Sequence, residues 1–268
     1  MTSLMLSILL CLIFSIDKAM LLPIQIAWGE DMIRLRIDLP FDAFEAVCQD
    51  RGRVKNVIDS ALSRHGYRRI DNQPVRYGFG VITRPVGKNG LRRIERIYLG
   101  SSDPAIAEAM ANITAEDLIE PSLTPGAGLD LRRATIIRDE RWTPTEALSL
   151  YALSPIRVLS RENGGRTQAL LTPGEAFNAA LNRIMATRFG RPFRLSFIPD
   201  RLYSFAKKGQ LTASMAVGLR PDGRPLCLPG IVTPFVLAGP SADLREAWFS
   251  GLGAGTGMGF GCLEEAEL

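Results

Sequence analysis

Histidine is nearly missing from this sequence. Its 268 residues hold one, His65, so no pair of imidazoles can build a metal centre. Cysteine is scarce as well: Cys11, Cys48, Cys227 and Cys262 lie far apart and form no C-x-x-C pair. That excludes a disulfide scaffold and a cysteine-rich zinc module. Lysine is rare, supplying 5 of the 32 basic residues and leaving 27 to arginine. The apolar run at 4–16 is short for a bilayer span, and no Lys or Arg precedes it as one would in a signal peptide. Residues 1–31 therefore read as an N-terminal extension, with a signal anchor as the alternative. The protein reads as cytoplasmic, with no membrane partner, no metal and no cofactor.

What is present is enough apolar material, 46% of the residues, to bury a core. The length fits one large domain or two of roughly 100–130 residues. A net charge of +4 with 22% charged residues excludes a disordered chain. That small total hides a strong asymmetry. Between Arg51 and Arg96 there are ten Arg and two Lys against three acids, 12 − 3 = +9, so the rest of the chain is acidic on balance. Arginine is suited to bidentate phosphate contacts and to stacking on bases, and a local field of this kind attracts phosphates. The plainer alternative is a solvated charged face.

The order of elements suggests two similar halves. Ile33, Leu35, Ile37 and Leu39 alternate with Arg34, Arg36 and Asp38, the pattern of a half-buried strand presenting arginines. A helical stretch follows at 41–64, interrupted near Gly52. Strands at 77–83 and 91–99 flank a hairpin loop at 87–90, and Asp103-Pro104 opens a short helix to about residue 112. A proline- and glycine-bearing loop or insertion covers 114–128, and a fourth strand lies at 131–138. In the second half, strands are expected at 151–160, 193–198, 212–219 and 226–237, with Pro234 at an edge or bulge. Helices are expected from Thr172-Pro173 to 189 and at 241–249, the latter capped by Ser241. A last strand is expected at 258–263. The fold class is thus α+β, two tandem ferredoxin-like (β-α-β-β-α-β) units. The first unit is 32–148 with an insertion around 113–147, and the second is 149–268.

Residues 251–261 read GLGAGTGMGFG, with glycine at every odd position. Such a segment has one face without side chains, so another backbone can approach, and its N–H groups can form an anion-binding concavity. The spacing excludes a dinucleotide fingerprint, because every glycine here is odd-numbered and i+5 always misses. No Gly-Lys-Ser/Thr follows, which excludes a P-loop. A flexible tail is the plain alternative, but Leu252, Met258 and Phe260 among the glycines indicate a packed segment.

The pattern Gly251-Leu-Gly253…Gly259-Phe-Gly261, closing a chain of two ferredoxin-like units, resembles the C-terminal glycine-rich loop of CRISPR-repeat-processing endoribonucleases of the RAMP superfamily. Ser154-Pro155-Ile156, Pro229-Gly230…Gly239 and the opening strand from Met32 are also similar to that family. The stretch 113–147 has no counterpart in the family and reads as an insertion of the kind seen in type IV systems. The resemblance implies metal-independent cleavage of CRISPR repeat RNA by 2′-hydroxyl attack on the adjacent phosphate, which needs a base, an acid and cations for the developing charge. His65, just past the first helix, is the candidate catalytic residue, with Tyr67 as a candidate helper; the plain alternative for His65 is a solvated residue at a helix end. The candidate RNA-binding residues are Arg34, Arg36, Arg51, Arg53, Arg64, Arg68, Arg69, Arg132, Arg133 and Arg138, with Gly251, Gly253, Gly255, Thr256, Gly257, Gly259 and Gly261 of the loop. The family loop usually carries a Lys or Arg, and this one has none. The implied partners are a repeat RNA stem-loop and other subunits of a CRISPR effector complex. Two other readings compete: a non-catalytic RNA-binding subunit of such a complex with the same fold, and an unrelated enzyme using the loop for a small phosphorylated ligand.

Overall fold

The computed structural model describes residues 32–40, 51–70, 73–86, 91–122, 131–139, 142–161 and 167–266. All of them belong to one unit, Asp31–Leu268. The expected helix start at 41–50 and hairpin loop at 87–90 lie outside the described residues.

Strand β1 (Ile33–Asp38) follows from its alternation, with Ile33, Leu35 and Ile37 all buried. Helix α1 (Arg51–Arg64) buries Val54, Val57, Ile58, Ala61 and Leu62, the three- and four-residue spacing of one helical face. Gly52 lies inside its first turn and does not interrupt it. Strands β2 (Tyr77–Val86) and β3 (Leu91–Ser101) come next, then helix α2 (Pro104–Ala111). The Asp103 side chain accepts from the N–H groups of Ala105 and Ile106, and Pro104 occupies the first turn. Helix α3 (Ala115–Ser122) and strand β4 (Thr135–Asp139) complete the unit. The first sheet runs β2-β3-β1-β4, antiparallel throughout, the strand order of a ferredoxin-like unit.

Helix α3 corrects the expectation of a loop at 114–128. Thr114 and Asp117 form one arm of a capping box: the carboxylate accepts from the Thr114 N–H at 2.9 Å, and also from its hydroxyl at 2.8 Å. Leu118 then enters the first core. Thr-x-x-Asp with Glu116 in the first turn was the available signal, and the nearby prolines and glycines outweighed it.

The second sheet runs β12-β5-β11-β8, again antiparallel. It is built from β5 (Ala147–Ala152), β8 (Ser196–Pro199), β11 (Pro234–Ala238) and β12 (Leu263–Glu265), with helices α4 (Glu175–Phe189) and α6 (Ser241–Ser250). A hairpin of β6 (Val158–Arg161) and β7 (Thr167–Leu170) precedes α4. Helix α5 (Arg201–Ala206) and the hairpin β9 (Thr212–Leu219) and β10 (Pro225–Ile231) are inserted between β8 and β11. The core of this unit centres on Phe177, Phe197 and Phe235, with ring centroids 5.1 and 4.3 Å apart. Asn178 and Asn182, one helical turn apart on α4, bond the backbone groups of Phe197 and Leu195. They occupy polar groups along the free side of edge strand β8.

Three sequence expectations change here. The strand expected at 226–237 is two strands in different sheets, because Pro234 begins β11 and has no N–H to continue a ladder. The cap of α6 is Pro240, and Ser241 is its first residue. The last strand is Leu263–Glu265, because residues 256–258 form a 3₁₀ turn and Gly251, Gly253, Gly255, Gly259 and Gly261 all have positive φ, which no strand of this hand accommodates. Among the described residues no helix is long and apolar enough to cross a membrane.

Candidate nucleic-acid interface

The glycine-rich loop is packed, and its packing depends on close backbone approach. A Cβ on Gly261 would lie 1.9 Å from the Leu252 carbonyl oxygen, and one on Gly253 would lie 2.6 Å from that of Arg157. Several loop N–H groups are used internally: Leu252 donates to Gly261, Ala254 to Arg157 and Gly261 to Pro155. The Thr256 hydroxyl donates to the Tyr77 carbonyl at 2.8 Å, fixing the 3₁₀ turn against β2. The N–H groups of Gly255, Thr256 and Gly257 meet no acceptor among the described residues.

These three residues line a groove of about 380 Å³, together with Ala254 and Met258. The α4 face carrying Arg183, Ile184, Thr187 and Arg188 is its first wall, Arg69, Gln73, Pro74 and Val75 form its second, and the loop residues form its third. Among the described residues no carboxylate lines it. Arg69 and Arg183 are exposed and Arg188 is buried. Of the candidate RNA-binding residues, the groove brings together Arg69, Gly255, Thr256 and Gly257. Arg183 and Arg188 are not among the expected site residues, because the apolar spacing of α4 marks only its core face. Their signal was the basic spacing Arg183, Arg188, Arg191 at the end of that helix.

His65 follows the last residue of α1, half-buried, with its Nε2 2.9 Å from Asp117 Oδ2. Burial alone would raise the Asp117 carboxyl, but the Thr114 N–H, the His65 ring and the Thr114 hydroxyl outweigh it and hold the group below its ordinary value of 3.8. Asp117 thus orients the imidazole through this contact. Tyr67 packs edge-on against Tyr77, centroids 6.2 Å apart. Burial first, then the charges of Asp103 and Asp59, push its phenol above 10.0, so Tyr67 stays protonated at neutral pH and does not serve as a base. His65 and Gly259 are not neighbours through α1. Arg51, at the other end of that helix and about 20 Å away along its axis, is the residue whose guanidinium donates to the Gly259 carbonyl at 3.2 Å.

The other arginines divide sharply. Arg34, expected on an open face, is 5% exposed. Its guanidinium lies over the rings of Tyr98 and Trp248, at 4.5 and 4.1 Å, and donates to the Leu263 carbonyl beside Glu264. Those partners come from β3, α6 and β12, which β1 alternation alone cannot reveal. Arg51 is turned toward Met215, Val81 and Gly259. Arg36 pairs with Asp38. Arg138 donates to the carbonyls of Ala111 and Ile113, at the end of α2. Arg53, Arg64, Arg68, Arg132 and Arg133 are exposed. Among the described residues no three His, Cys, Asp or Glu side chains converge in a way that could hold a metal ion.

Comparison with known proteins bears on this geometry. Residues 139–265 match the family described as CRISPR associated protein Cas6, C-terminal. Among solved structures, the fold is similar to that of a RAMP protein described as binding different RNA substrates, with a TM-score of 0.59 and 16% identity over 88% of this chain and 99% of that one. It is also similar to the product of a Cas6-related gene from Pyrococcus furiosus, with a TM-score of 0.58 and 16% identity over 88% and 98% of the two chains. A third likeness is to a CRISPR associated protein Cas6, with a TM-score of 0.58 and 16% identity over 88% and 99%. At these identities the likeness is one of fold. No curated protein sequence matches the chain.

Proposed function

We propose that this chain, whose residues 139–265 match the C-terminal model of CRISPR associated protein Cas6, is a member of that family that binds CRISPR repeat RNA and cleaves it without a metal ion. The observation that carries the binding is the groove. Arg69 and Arg183 flank three N–H groups that meet no acceptor, in a channel lined by no carboxylate, among the described residues, which suits a phosphodiester. The exposed arginines 53, 64 and 68 extend the same positive field over α1 and the segment after it. An RNA stem would be held there by its phosphates and shape.

The 2′-hydroxyl oxygen attacks the adjacent phosphorus, the bond from phosphorus to the 5′-oxygen breaks, and a 2′,3′-cyclic phosphate and a 5′-hydroxyl result. One proton leaves the 2′-hydroxyl and one reaches the 5′-oxygen. His65, oriented by Asp117, can serve in one of these proton transfers. Tyr67, protonated at neutral pH, can assist through its hydroxyl but not as the base. The loop supplies no cation of its own, so charge on the phosphorane is met by arginines near His65, of which Arg64 and Arg68 adjoin it in sequence.

A second reading has its own support: the distance along α1 between His65 and the residue that holds Gly259 favours an RNA-binding subunit that does not cut. Incubating the purified protein with a repeat hairpin RNA in EDTA separates the two. Cleavage to a defined 3′ end supports the nuclease, tight binding without cleavage supports the subunit, and an absence of salt-sensitive affinity removes both.

A further inference from the structure

We propose that Arg188 is the positioning residue of the RNA groove, holding its three walls in register from below. The proposal rests on the reading of that groove as an RNA site. Arg188 belongs to α4, the first wall. Its Nε donates to the Val75 carbonyl at 3.1 Å, on the second wall. Its Nη1 donates to the carbonyls of Gly251 at 2.8 Å and Gly253 at 3.3 Å, and its Nη2 to that of Ser250 at 2.8 Å. These belong to the arm that leads into the third wall. One planar fork thus fixes elements drawn from positions 75, 188 and 250–253.

The environment is an unusual one for a cation. Arg188 is 6% exposed, and no carboxylate lies within ion-pairing distance among the described residues. Burial lowers its pKa to about 10, so it keeps its charge at neutral pH. A buried charge met mainly by neutral carbonyls contributes little stability over a well-packed apolar side chain. What it adds is geometry, because five N–H donors in a fixed fork can hold several carbonyls at set angles. A lysine at this place has a single point of attachment and cannot hold all three walls.

The experiment is a double-mutant cycle of Arg188→Met with Arg69→Ala, read as affinity for a repeat hairpin RNA well below the melting temperature of each variant. Arg188→Met should weaken binding about tenfold or more, and Arg69→Ala should weaken the unaltered protein but have little further effect in the Arg188→Met background. Arg188→Lys should fall between, and it carries the test if the Met variant does not fold. Leu237→Val, a core change of comparable thermal cost, should bind as the unaltered protein does. Unchanged affinity in the Arg188 variants, or strict additivity with Arg69→Ala, overturns the positioning role and leaves the RNA site standing. Failure of the unaltered protein to bind RNA in a salt-sensitive way overturns the site, and the proposal with it.

Discussion

His65 and Asp117, separated by 52 positions in sequence, are in hydrogen-bond contact at 2.9 Å. The contact exists because α3 starts with one arm of a capping box, and the carboxylate that makes it also faces the end of α1. One side chain therefore starts a helix and orients the only imidazole in the protein. If His65 transfers a proton during RNA cleavage, His65→Ala should slow the single-turnover rate by about 100-fold or more, with RNA affinity little changed. Asp117→Asn should slow it less. An unchanged rate in His65→Ala would remove the imidazole from the mechanism.

The same carboxylate gives a pH dependence of stability. Its folded pKa is depressed below the ordinary 3.8, so its contribution is fully present above that value and is lost as the pH falls through the folded pKa. The difference in melting temperature between the unaltered protein and Asp117→Asn should shrink steadily as the pH falls below about 4. Parallel curves down to pH 2 would show that Asp117 is not held in its charged form.

The exposed pair after α1 should act through phosphates. Changing Arg68 and Arg69 together to Ala should weaken binding to a repeat hairpin and lower the slope of log K against log salt by roughly one to two. Fluorescence anisotropy titrations at several salt concentrations measure this directly. A slope equal to that of the unaltered protein would place this pair away from the RNA.

Arg34 should behave in the opposite way. Arg34→Ala removes a cation held between Tyr98 and Trp248 and leaves Glu264 without it, which should cost about 3 kcal/mol of stability in urea unfolding. The salt slope of RNA binding by the folded fraction should not move. A stable variant with a reduced slope would return Arg34 to the RNA-contacting set.

These contrasts show where sequence reasoning reached and where it stopped. The alternation of β1, the apolar face of α1 and the Asp103-Pro104 start of α2 were legible because each is decided by neighbours within a few residues. The ferredoxin-like order of both units followed from such elements. Arg34 was misplaced because the rings that cover it lie 64 and 214 positions away, and alternation reports only which face of a strand a residue occupies. The strand at 226–237 divided because Pro234 both ends one ladder and begins another. Asp117 was hidden by the prolines and glycines downstream of it, and Arg188 by its residue type, since nothing local marks an arginine as destined for the interior.

The anchoring of the glycine-rich loop has a consequence for how the binding surface comes into being. Thr256 and Gly259 are held by Tyr77 and Arg51 of the first unit, while Ala254, Gly261 and Gly251 are held by Arg157, Pro155 and Arg188 of the second. Neither half alone carries the full set of anchors. A loop anchored from both units has its full set of contacts only when both are folded, so the proposed RNA groove is a property of the finished molecule rather than of either half.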